Sequence, residues 1–182
     1  MYKYTDVEIW DLCLSGAENA FEELYKRYYA LLHNYGCKFT SNREVVHDTI
    51  QDLFIKLITN HRKLSKTPHP KGYLLKAYKN NLLDAIQKEG LYIQTPFTEN
   101  LINNLDKTNN KEDDTDHIIV MRRSYHELSE KQKEVIYLFY VKNLSHEEIS
   151  AILGINYQSS KNLLSRSLSI LRKKFVKKLK IY

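Results

Sequence analysis

The amino-acid sequence predicts an all-α fold, arranged as two small helical domains joined by a flexible linker. Three observations carry that prediction. Serine–glutamate and serine–glutamine pairs at i and i+3 recur along the chain, and in such a capping box each side chain satisfies a free amide at a helix start. Between these pairs, apolar residues return at helical spacing. With 5 Gly and 3 Pro in 182 residues, the chain also lacks the turn residues that a β fold needs.

The elements follow in order. Ser15 with Glu18 is expected to open a helix whose core stripe is Phe21, Leu24, Tyr25, Tyr28, Leu31 and Leu32. Ser41 with Glu44 is expected to open a second. There Val45, Val46, Thr49, Ile50, Leu53, Phe54, Leu57 and Ile58 recur in pairs every four residues and make one wide apolar face. Opposite that face lie Asp48, Gln51 and Asp52, an acidic polar patch. After the break "SKTPHPKG", Tyr73 starts a third helix that carries Leu74, Leu75, Tyr78, Leu82 and Ile86 on one side. Lys76, Lys79, Asn80 and Lys88 are its polar residues. These elements form a first domain over 1–94. An Asn-rich connector is expected at 95–118, because Thr98 to His117 holds 6 acids against 2 lysines with little periodicity.

The second domain, 119–182, repeats the capping device. Ser129 with Gln132 opens a helix with Val135, Ile136, Leu138, Phe139 and Val141 for a core, and Ser145 with Glu148 opens the next. Gly154 follows Ile149, Ile152 and Leu153 as a C-cap, and Asn156 is placed to N-cap a final helix. Helix, tight turn and helix make a helix-turn-helix. Leu163, Leu164, Leu168 and Leu171 are expected to bury one face of the last helix. The other face offers Tyr157, Gln158, Ser159, Lys161, Asn162, Ser165 and Arg166, groups suited to base edges and phosphates in a major groove. From Leu128 to Tyr182 the chain has 11 Lys and Arg against 4 Asp and Glu, a balance of +7. The tail residues Arg172, Lys173, Lys174, Lys177, Lys178 and Lys180 run without an acid. A duplex DNA partner is expected.

Other function classes find no support. Cys13 and Cys37 match no metal-ligand spacing and suggest a reducing compartment, so no metal or cofactor is expected. No apolar stretch approaches the roughly 20 residues that span a bilayer, and the N-terminus has no signal-peptide core. The expected location is the cytoplasm, without membrane contact. His126-Glu127 and His146-Glu147 begin like a zinc-protease motif, but Glu130 and Ser150 stand where its second histidine belongs. With no phosphate-cradling glycine loop and no nucleophile elbow, neither an enzyme nor a small-molecule substrate is expected.

Both halves carry a family resemblance. "AFEELYKRYY", "DTIQDLFIKL" and "YLLKAYKNNLLDAIQK" resemble the second conserved region of bacterial RNA polymerase sigma factors, above all the small two-domain extracytoplasmic-function (ECF) group. "LSEKQKEVIYLFYVKNLSHEEISAILGINYQSSKNLLSRSLSILRKKF" resembles their fourth region. The resemblance implies an initiation factor whose partners are core RNA polymerase, promoter DNA and an anti-sigma factor. It assigns Asp48, Gln51, Asp52 and Phe54 to polymerase docking, through a D-x-x-Q-E-x-F signature in which Asp52 replaces the Glu. Tyr73, Asn80 and Asp84 match the W-L…N…D signature of the promoter-melting segment, with Tyr in place of Trp. The loop from His61 to Gly72 stands where the family captures a base flipped from the minus-ten element. Its basic edge is His61, Arg62, Lys63, Lys66, His69 and Lys71, and Tyr73, Lys76, Lys79, Asn80 and Lys88 complete the minus-ten surface. Gln87 and Lys88 stand where the family commonly has arginines. Asn156 to Arg166 aligns with the recognition helix for the minus-thirty-five element. There Ser145, Asn156, Tyr157, Gln158, Ser159, Lys161, Asn162, Ser165 and Arg166 are the implied DNA contacts, while Leu163 replaces a common Arg. A stand-alone helix-turn-helix regulator is the rival reading, but it leaves the Asp48–Gln51–Asp52 patch and the Tyr73 segment without a purpose.

Overall fold

The computed structural model describes residues 4–90, 120–121 and 123–179, the last six of them as backbone alone. Among the described residues there are helices and turns but no strand. The chain divides into two compact units, residues 1–94 and 95–182. The expected connector at 95–118 lies outside the described residues.

The first unit opens with a helix not anticipated from periodicity, α1 (Asp6–Leu14). A Thr5–Glu8 capping box starts it: the Thr5 amide donates to Glu8 Oε2 at 2.7 Å, and the Glu8 amide donates to Thr5 Oγ1 at 3.3 Å. Those bonds from Thr5 hold the Glu8 carboxyl below its ordinary range. Ile9, Trp10 and Cys13 are buried, and burial pushes the Cys13 thiol up to about 12.

Two expected caps belong to other residues. Ser15 closes α1 instead of opening the next helix: its hydroxyl donates to the Leu12 carbonyl at 2.7 Å. Gly16, at φ +86°, then reverses the chain, and α2 (Glu18–Gly36) starts behind Ala17 with no side-chain cap. Likewise α3 (Arg43–Thr59) is capped by Asn42, not Ser41. Thr40 Oγ1 accepts the Asn42 amide at 3.1 Å, which delays the helix by one residue. The Asn42 carboxamide oxygen then accepts from the amides of Glu44 at 3.0 Å and Val45 at 3.3 Å. After a 3₁₀ turn at His61–Lys63, α4 (Pro70–Lys88) begins earlier than expected, because Pro70 suits the first helical turn.

The core of this unit lies where α3 packs against α2 and α4, and Leu24, Leu32, Tyr35, Val46, Ile50, Leu74, Leu75, Tyr78, Leu82 and Ile86 are fully buried in it. Gly36 is required there, since a Cβ would lie 2.0 Å from Tyr78 Oη. Ile58, expected on the apolar face of α3, is 47% exposed.

In the second unit α5 (Glu130–Ile136) opens with the expected Ser129–Gln132 box. It then widens into a π-helical turn, Tyr137–Val141, closed by the Lys142 amide on the Tyr137 carbonyl. The wider turn shifts the register. Tyr137 and Leu138 are buried, whereas Phe139 is half-buried and Val141 exposed, against expectation.

The next helix, α6 (His146–Leu153), has the expected Ser145–Glu148 box and ends at Gly154, φ +65°. The last helix, α7 (Tyr157–Leu179), starts where the Asn156 side chain accepts from the Ser159 amide at 2.7 Å. Its buried seam is Ser160, Leu164, Ser167 and Leu171, with Leu163 and Leu168 only half-buried. Ser160 and Ser167, both 0% exposed, were not expected inside. Their hydroxyls are satisfied: Ser160 Oγ lies 3.0 Å from His146 Nδ1, and Ser167 donates to the Leu163 carbonyl at 2.7 Å. Among the described residues no helix is long and apolar enough to cross a membrane.

Candidate docking and nucleic-acid interfaces

α3 buries one side, and what remains outside is one continuous stripe. Asp48, Gln51 and Asp52 are exposed along it. His47 stands beside them, its Nδ1 3.6 Å from Asp48 Oδ1 and its Nε2 3.4 Å from Gln51 Nε2. The stripe continues into Ile55 and Ile58, 57% and 47% exposed, so an apolar end follows the acidic one. Counting Ile58 toward the core concealed that extension. Phe54 does not share the exposed face: it is 4% exposed and meets Tyr25 edge-on at 5.0 Å. It supports α3 from beneath. Asp52 also lines an open polar cleft of about 250 Å³ between α3 and α4, together with Lys56, Asp84, Lys88 and Glu89. Asp84 and Lys88, assigned to melting and to minus-ten DNA by resemblance, therefore share a cleft with a docking candidate.

The basic loop is shorter than the stretch from His61 to Gly72, since α4 takes its last residues. Arg62, Lys63, Lys66 and His69 are exposed and Lys71 is half-buried. Lys66 Nζ lies 3.4 Å from Asp11 Oδ2. His61 is not part of the free basic edge. Its ring meets Phe21 edge-on at 6.4 Å, its Nδ1 is 2.9 Å from the Ile58 carbonyl oxygen, and it fills the space beside Gly16. Trp10 was missed entirely by sequence reasoning: its indole N–H donates to the Ser65 carbonyl at 3.1 Å. Tyr73 is exposed on one side and packs edge-on against Trp10, centroids 5.0 Å apart. Lys76 and Asn80 are exposed, while Lys79 is half-buried with its ammonium 5.8 Å from the Phe39 ring centroid.

On α7, Tyr157, Gln158, Lys161, Asn162, Ser165 and Arg166 are exposed and Ser159 is half-buried. Gln158 Nε2 donates to Asn162 Oδ1 at 3.1 Å, and Lys161 Nζ stands 5.6 Å over the Tyr157 ring. Those contacts order the leading turns. Ser145 and Asn156 are engaged as caps, accepting from the amides of Glu148 at 3.3 Å and Ser159 at 2.7 Å. Their side-chain oxygens thus accept from the backbone at the two helix starts. His146 stacks on Phe139 at 5.1 Å and meets Ser160, a packing role that periodicity did not reveal. Arg172 and Lys173 are exposed, and the remaining basic side chains of the tail lie outside the described residues.

The family models match these same two units. Sigma-70 region 2 matches residues 24–91, and Sigma-70, region 4 matches residues 121–171. Among solved structures, one similar fold is CnrH in complex with the cytosolic domain of CnrY. It aligns at a TM-score of 0.63 and 18% identity over 92% of this chain and 95% of that one. Another is the sigma factor RpoE in complex with the anti-sigma factor NepR from Bartonella quintana, at 0.55 and 17% over 85% of this chain and 95% of that one. At such identities the likeness is one of fold. No curated protein is significantly similar in sequence. With regions 2 and 4 matched in that order, one on each helical unit, the chain belongs to the sigma-70 family of sigma factors.

Proposed function

We propose that this sigma factor is of the extracytoplasmic-function type, binds core RNA polymerase in the cytoplasm and directs promoter-specific initiation. The observation that carries this reading is the exposed Asp48–Gln51–Asp52 stripe on the outer side of a helix whose other side is core. A regulator acting on duplex DNA alone has no use for it. In this reading residues 1–94 dock on polymerase and handle the minus-ten element, residues 119–182 read the minus-thirty-five element, and 95–118 connect them. Arg62, Lys63, Lys66, Tyr73, Lys76 and Asn80 meet the melted strand. Unstacking a base costs a few kcal/mol, which stacking on an aromatic and phosphate contacts can offset. On α7, Gln158, Lys161, Asn162, Ser165 and Arg166 enter the upstream major groove. The two-region composition and the likeness to CnrH and RpoE, each solved with a protein partner, support the ECF assignment and an anti-sigma partner of the same kind.

Reversing charge on the stripe tests the reading. Asp48→Lys combined with Asp52→Lys should lower affinity for core polymerase at least about a hundredfold, since like charges across an interface cost several kcal/mol. Helicity should stay intact because both residues are exposed. Unchanged co-purification with core polymerase would sink the docking claim and return the stand-alone regulator.

A further inference from the structure

We infer that Trp10 is a positioning residue for the minus-ten surface: its indole N–H fixes the loop over residues 64–69, and its ring fixes Tyr73. The inference rests on the reading of that loop and Tyr73 as the surface that meets melted DNA. Trp10 lies on α1, outside the region 2 match that begins at residue 24, and is 0% exposed. Burial alone accounts for the ring. It does not account for where the one polar group goes.

That group reaches across 55 residues of sequence to the Ser65 carbonyl, at 3.1 Å. The loop's own bonds are local: the Leu64 amide to the His61 carbonyl at 3.1 Å, and the His69 amide to Thr67 Oγ1 at 3.1 Å. Such bonds shape its ends without tying its middle to the domain. The Trp10 bond makes that tie. One residue along in each segment, Asp11 and Lys66 pair at 3.4 Å, but with Lys66 81% exposed this ion pair adds little. The Trp10 ring meanwhile meets Tyr73 at a 60° interplanar angle. One buried side chain therefore touches both halves of the candidate surface, the loop backbone and the aromatic at the start of α4. A loop held in one shape has less ordering to lose on binding and fits one base better than others. Released, it can adapt to several bases, so discrimination falls further than affinity.

Trp10→Phe keeps a ring and removes the donor. Holoenzyme reconstituted from the full chain and core polymerase would select from promoters randomised at the minus-ten element. The expected result is a preference about fivefold weaker at the captured base, the size of one net hydrogen bond, with core binding and minus-thirty-five preference unchanged. Since the chain has 1 Trp, replacing it with isosteric 7-azatryptophan gives a reporter that can be excited to the red of polymerase tryptophans. Its emission should shift on promoter melting and not on binding closed duplex. Arg62→Ala with Lys63→Ala, run in parallel, separates two kinds of failure. If that pair loses minus-ten preference while Trp10→Phe keeps it and the azatryptophan signal is silent, Trp10 only packs the core and the inference falls alone. If neither variant alters minus-ten preference, the reading of the loop falls and takes the inference with it.

Discussion

Helices α3 and α7 are both amphipathic and expose similar shares of their surface, yet they fill their buried sides differently. α3 runs between neighbours and buries Val45, Val46, Thr49, Ile50, Leu53, Phe54 and Leu57 on one side. On α7 the buried seam is narrow, and two of its members, Ser160 and Ser167, are hydroxyls in place of large apolar groups. A central helix with a wide side of large apolar residues is held mainly by their burial. A peripheral helix with a seam of small residues can approach its neighbour closely while most of its surface stays in solvent. The first arrangement offers a partner one face on a rigid support. The second offers many groups along a groove-sized cylinder, which suits base reading.

The comparison breaks first at the tightest contact around α3. Gly36→Ala would bring a Cβ to 2.0 Å from Tyr78 Oη, whose ring is fully buried between α2 and α3. The expected loss is about 3 kcal/mol of stability in the first unit, read as an earlier denaturation transition. Tyr78→Phe should restore part of it, because Tyr78 Cζ still lies 3.0 Å away. A loss below about 0.5 kcal/mol, the usual scale of surface changes, would mean that α2 and α4 are looser than their geometry implies. Ser160→Leu probes the α7 seam in the same way. It should cost about 2 kcal/mol in the second unit by crowding and by breaking the His146 contact at 3.0 Å. A neutral result would show that the seam tolerates bulk, and the contrast with α3 would then be wrong.

Smaller effects sharpen what the outward face of α7 does. Gln158→Ala should relax preference at one base of the minus-thirty-five element by about tenfold, within the roughly 1–3 kcal/mol of a bidentate contact. Randomised upstream-element selection measures it, and an unaltered preference assigns Gln158 to pairing with Asn162 alone. Lys161→Ala should weaken all sequences alike and reduce the salt slope of binding by about 0.9. An unchanged slope in a salt titration would leave Lys161 engaged only with the Tyr157 ring, 5.6 Å away.

Features that depend on neighbours three or four positions apart were legible in the sequence. The boxes at Ser129 and Ser145, the left-handed Gly154 and the Asn156 cap could all be read from spacing, because both partners of each bond lie within one turn. The apolar face of α4 was legible for the same reason: Leu74, Leu75, Tyr78, Leu82 and Ile86 are all fully buried. Spacing failed where several polar residues compete for one cap. Ser15 and Asn42 took their roles from the turns beside them, at Gly16 and Thr40. It failed again at the π-helical turn, where one extra residue per turn moves Val141 out of a pattern that assumes regular helix. Only the tertiary structure could put Asp84 in a cleft with Asp52 and the Trp10 indole on the Ser65 carbonyl. Those contacts join residues far apart in sequence, and no local period encodes which distant carbonyl a buried donor will reach. Packing decides that, because a buried N–H must find an acceptor wherever the assembled core leaves one.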